Sequence, residues 1–173
     1  EPNPVSCSWT VSFVQGGPQL PASITVDSLG SWTDFVGDEY KAFSGTAVYT
    51  TTINKVPVAD VIKLNLGTVA ENASVYLNGE YIGTVIDSPY QLYIPAEKFK
   101  GQDELVVRVA NSMANRIAYM DKKGVDWKIF YNVNMSARKK ENVKNGIFDA
   151  SDWEPKSSGL LGPVTLTPAM VKQ

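Results

Sequence analysis

The chain has 173 residues, 43% hydrophobic and 20% charged, with a formal net charge of -2. That is the balance of a globular domain, not of a disordered chain, and no overall basic field is present to draw nucleic acid. The absence of histidine excludes Ser-His-Asp and Cys-His catalysis within this chain and the usual His-containing zinc sites, and the single cysteine, Cys7, cannot close an intrachain disulfide.

In chain order, strand signals dominate. The chain opens Glu1-Pro2-Asn3-Pro4 without an initiator methionine, which reads as a processed protein or an excised fragment. Cys7 reads as a small buried hydrophobe. Trp9, Val11 and Phe13 alternate with polar neighbours at period two, and the turn residues Gln15-Gly16-Gly17-Pro18 are expected to stop that run. Residues 46–53 are rich in β-branched side chains and aromatics, as a strand prefers. Residues 61–66 alternate up to Gly67. Asn78-Gly79 sits between the alternating runs 73–77 and 81–85 and predicts a tight hairpin, because both residues tolerate positive φ. Short strands are expected at 92–94, 104–110 and 163–168. A single helical turn is expected near 95–99 and further turns near 112–120. No apolar run approaches the ~18 residues of a membrane span, so no membrane insertion is expected.

The strand spacing predicts an all-β sandwich with a core from Val11, Phe13, Val48, Leu64, Leu66, Val75, Leu77, Leu105, Val107 and Val109. Trp9 and Trp32 are read as core. One domain over 1–173 is expected, interrupted by a long loop-rich insertion at about 111–162. Small residues at Ser44-Gly45-Thr46 read as a place of close backbone approach. The basic clusters Lys122-Lys123 and Arg138-Lys139-Lys140 read as solvated loop charges rather than a phosphate site.

The long insertion supplies the candidate sugar-binding residues. Asn111, Asn115 and Arg116 follow a strand end, and amide and guanidinium groups suit sugar hydroxyls; they equally suit capping of the loop's own backbone. Trp127, Tyr131 and Trp153 offer flat faces for a sugar ring, for packing under the loop, or for a partner domain. Asp121, Asp126, Asp149, Asp152 and Glu154 are read as solvated charges. No catalytic pair of carboxylates is assigned, since sequence gives no spatial separation. No cofactor is expected. Calcium at Asp149, Asp152 and Glu154 has no support from the dense acidic loop pattern such ions favour. Asn72-Ala73-Ser74 and Asn134-Met135-Ser136 match the N-glycosylation pattern, which matters only in a eukaryotic secretory route.

The ordered set Ser44-Gly45-Thr46-Ala47-Val48-Tyr49, Leu66-Gly67-Thr68-Val69, Asn72 to Gly79, Ile82-Gly83, Pro89-Tyr90, Lys100 to Leu105, Val109-Ala110-Asn111 and Asn115-Arg116 resembles the galactose-binding-like jelly-roll domain of family 2 glycoside hydrolases. The tail, Asp152-Trp153-Glu154-Pro155 and Ser158 to Leu166, resembles the end of family 106 glycoside hydrolases, the α-L-rhamnosidases. The resemblance implies a jelly-roll sandwich and an accessory carbohydrate-contacting role in a secreted or periplasmic bacterial hydrolase. It places the catalytic carboxylates in a separate barrel, too large for this chain, so carbohydrate and a catalytic domain of the same parent chain are the implied partners. A freestanding carbohydrate-binding module and a purely structural packing domain are the alternatives.

Overall fold

The computed structural model describes residues 2–5, 8–129 and 139–169. Cys7, Tyr131, Arg138 and the Asn134 sequon lie outside these. The strands in chain order are β1 (Asn3–Pro4), β2 (Trp9–Gly17), β3 (Ile24–Val26), β4 (Ser44–Ile53), β5 (Val61–Asn65), β6 (Thr68–Ala70) and β7 (Asn72–Leu77). They continue with β8 (Glu80–Val85), β9 (Gln91–Pro95), β10 (Asp103–Ala110), β11 (Val143–Lys144), β12 (Ile147–Phe148), β13 (Gly159–Gly162) and β14 (Thr165–Ala169). Helix α1 (Asp38–Ala42) precedes β4, and α2 (Ala114–Lys122) follows β10.

Two antiparallel sheets form the sandwich. One has the order β3-β2-β4-β10-β7-β8, the other β1-β14-β5-β9. The chain crosses repeatedly between them, from β4 to β5, from β8 to β9 and back to β10, as in a jelly roll. The pairs β6–β13 and β11–β12 are separate two-stranded ribbons. The fold class expected from the sequence is the one observed.

Alternation decides which side chains meet. Along β10, Leu105, Val107 and Val109 are fully buried, while Glu104 and Arg108 face out. Across the sandwich, Ile62 and Leu64 of β5 stand beside Ile94 of β9 and Leu166 of β14, all buried. Each such side chain contributes about 1.5–3 kcal/mol by leaving water. Trp9 and Trp32 are buried as expected. Phe13, Trp32 and Phe43 pack edge to face, with centroids 5.0–5.7 Å apart. One core assignment is corrected. Val48 lies on the outer face between Ser12 and Arg108, and its neighbours Ala47 and Tyr49 point inward. Period two fixes the set but not its phase, and the large apolar valine suggested the wrong one.

Two further expectations are revised. The glycines at 16 and 17 do not end β2. After a register shift between Phe13 and Gln15, the strand runs on and pairs Gly16 with Gly45 and Gly17 with Ser44. A Cβ on Gly16 would lie 2.3 Å from the Ser44 carbonyl oxygen, so the backbones meet where side chains cannot fit, as read at Ser44-Gly45. The helical turns expected near 112–120 join into one continuous helix, α2. Its buried residues are Asn115 and Ala118, so a polar amide occupies an inward position where an apolar stripe would signal a helix.

The Asn78-Gly79 hairpin forms as expected, with φ of 51° and 81°. Asp103, fully buried, locks it from the next strand. One carboxylate oxygen accepts from Asn78 Nδ2 and from the Lys100 amide, each at 2.7 Å, and the Asn78 Oδ1 accepts the Glu104 amide at 3.0 Å.

Candidate functional site

One end of the sandwich is closed by a polar knot. Asn111, just past β10, accepts the Gly45 amide on Oδ1 at 2.8 Å and donates through Nδ2 to the Phe43 carbonyl and to Ser158 Oγ. Asn115, buried on α2, bonds both backbone groups of Lys156, at 2.8 and 2.9 Å, and also donates to Ser158 Oγ. Ser158 donates its amide to Ser31 Oγ at 2.9 Å, and its carbonyl accepts the Trp32 amide at 3.0 Å. Ser44 Oγ accepts the Arg116 amide at 3.1 Å. The Arg116 guanidinium packs over Gly17, where a Cβ would lie 2.7 Å from Nη1, and its buried Nε has no partner. The amides of Asn111 and Asn115 are thus occupied by the chain itself.

A second anchor is Asp121 at the end of α2. Its side chain is 1% exposed. Oδ1 accepts Trp127 Nε1 at 2.7 Å and pairs with Lys128 at 2.7 Å, while Oδ2 accepts the Ala150 amide at 2.8 Å. A carboxylate sunk this deeply is stable because three donors converge on it. Trp127 then meets Phe148 edge-on, and Phe148 meets Trp153 at 5.8 Å. Trp153 Nε1 donates to Asn142 Oδ1 at 2.9 Å, which fixes the indole plane.

Beside this cluster lies a seryl–lysyl pair. Lys144 Nζ donates to Ser151 Oγ at 2.5 Å. A hydrolytic dyad of this kind needs a neutral lysine as base. Here the hydrogen bond to Asp152 leads in raising the Lys144 pKa, with Asp149 adding to it, so the ammonium is held protonated. The Asp149 carboxyl is held below its usual range chiefly by the Ser151 hydroxyl, with Lys144 adding to it. Asp149 and Asp152 share this lysine, and among the described residues no three acidic, His or Cys side chains gather as a metal site would need.

The open geometry is a cleft of about 470 Å³ between α1, α2 and residues 153–155. Trp153 and Tyr119 supply its aromatic lining, and Pro18, Ala42 and Pro155 its aliphatic lining. Lys41, Lys122, Lys123, Asp38 and Glu39 bring charge, and Asn115 forms part of the wall. A second cleft of about 450 Å³ adjoins Trp153 on the side of Glu141 and Asp152. Of the residues singled out from sequence, the structure brings Asn115 and Trp153 to one cleft. It places Asn111 and Arg116 in the polar knot and Trp127 in the aromatic cluster. Tyr119, Lys122 and Lys123 were not among the candidates. Their signal was the i, i+3, i+4 spacing, which places them together only once 114–122 is known to be helical.

No family model matches this chain. A putative β-glucuronidase of Formosa agariphila is 30% identical over 181 residues, covering 96% of this chain and 16% of that protein. A rhamnosidase structure from Novosphingobium sp. PP1Y superposes with a TM-score of 0.75 at 29% identity, over 95% of this chain and 14% of that one. A GH2 β-galacturonidase from Eisenbergiella tayi, bound to galacturonate, shares the fold with a TM-score of 0.52 at 20% identity over 65% of this chain and 20% of that one. The chain is therefore similar to β-domains of glycoside hydrolases, and it spans 16% of the length of the curated relative.

Proposed function

We propose that this chain is a single accessory β-sandwich domain of a larger, secreted or periplasmic glycoside hydrolase, related to α-L-rhamnosidases and β-glucuronidases, and that it contacts carbohydrate without performing the hydrolysis. The observation that carries this reading is the match to both enzymes along almost the whole chain, against 14–16% of theirs. A galactose-binding-like role is consistent with the jelly-roll crossovers, although fold by itself does not establish it. The cleft at Trp153 has the aromatic and polar lining that sugar recognition uses. The catalytic domain of the parent chain is the second partner. Val125, Ile129 and Ile147 are exposed apolar side chains that such a partner could cover.

The freestanding-module reading draws on the same cleft, because a fixed indole beside Tyr119 needs no second domain to bind a ring. Calorimetry of the chain with a panel of mono- and oligosaccharides, including rhamnosides, tests sugar contact. Saturable binding weakened by both Trp153→Ala and Tyr119→Ala supports it. Absence of binding to every sugar in the panel contradicts it.

A further inference from the structure

The charges around the cleft are not balanced. Of its two carboxylates, Asp38 lies 3.6 Å from Lys41 on the same helix. Glu39 folds back on the start of α1, its carboxylate 2.5–2.6 Å from where a Gly37 Cβ would stand. Neither forms an ion pair with Lys122 or Lys123, which have no ion pair among the described residues. Lys123 Nζ stands 5.8 Å from the centre of the Tyr119 ring, so an ammonium and an aromatic face share one wall. Trp153, held by Asn142 and Phe148, lines the same cleft.

From this geometry we infer that the cleft between α1 and α2 is a binding site for an acidic sugar unit, a pyranose carrying a carboxylate. The ring lies against Tyr119 and Trp153, and the carboxylate faces Lys122 and Lys123. The volume, about 470 Å³, suits one or two sugar rings. A neutral sugar gains the stacking but leaves the lysines unused, so the acid is preferred. The inference rests on the carbohydrate-contacting reading above and narrows it to a site and a ligand class.

The test is calorimetry of the chain at low salt with a glucuronate or galacturonate disaccharide, its neutral glucose or galactose counterpart, and sodium acetate. The uronate is expected to bind about two- to thirtyfold more tightly than the neutral sugar, the range two solvent-exposed ion pairs supply. That preference should fade in the Lys122→Gln/Lys123→Gln variant, and in the wild type as salt rises. Equal affinity for acid and neutral sugars, unchanged by the lysine substitutions, overturns the inference and leaves the wider reading standing. Acetate binding as tightly as the uronate overturns it in favour of a bare anion site. Failure of every sugar to bind overturns the inference together with sugar contact by this chain.

Discussion

Asn111 shows how one residue type serves two readings. Its amide suits a sugar hydroxyl as well as a backbone, and nothing in sequence separates them until the Gly45 amide and Phe43 carbonyl are seen beside it. Replacing Asn111 by alanine strips an acceptor from Gly45 and is expected to cost about 1–3 kcal/mol in urea unfolding, with an unchanged slope. Tyr49 makes the converse case. Its hydroxyl is buried without a hydrogen-bond partner beside Gly159, and burial pushes its pKa above the ordinary 10.0. The neutral hydroxyl is thus favoured by the fold. Its contribution is fully present below pH 10 and is lost as pH rises beyond, because the unfolded chain then releases a proton that the native state keeps. Tyr49→Phe should leave stability at pH 7 unchanged or raise it by up to about 1 kcal/mol, and should flatten the alkaline loss of stability relative to wild type. A steeper alkaline decline in the variant contradicts this account of Tyr49.

At the scale of elements, legibility follows from how local the signal is. The Asn78-Gly79 hairpin and the β10 alternation are written in adjacent residues and were readable. Helix α2 was not, because its inward face is a hydrogen-bonded asparagine and an alanine. Strands β6 and β13 are short, and a distant partner defines each. Asp121 ties together segments far apart in sequence, its three donors coming from positions 127, 128 and 150. Asp121→Asn keeps the shape but removes the charge that Lys128 pairs with. Amide hydrogen exchange should then quicken across residues 139–154 while β4, β7 and β10 stay protected. Uniform loss of protection would contradict an anchor confined to the insertion. Acid acts on the same region. With its folded pKa lowered, Asp149 supports the 144–152 segment above the ordinary 3.8, and that support is lost as pH falls below it. Exchange in this segment is expected to rise below about pH 4 before the sheets respond.

For the whole molecule, the sandwich was legible because two sheets sharing one core impose alternation on nearly every strand. The cleft was not legible, because it is assembled from α1, α2 and residues 153–155, which sequence keeps apart. Only Trp153 and Asn115 pointed to it. Asn115, Tyr119 and Trp153 line one cleft, and in the nearby Ser151–Lys144 pair the lysine is held protonated. The proposed accessory role rests on the similarity to much longer hydrolases. The most direct test is hydrolysis of aryl α-L-rhamnosides and aryl β-glucuronides by the chain alone and by the natural polypeptide that carries it. Turnover by the natural polypeptide, with none from the chain alone, is the predicted result. Turnover by the purified chain, or a natural polypeptide inert towards both glycosides, would contradict it.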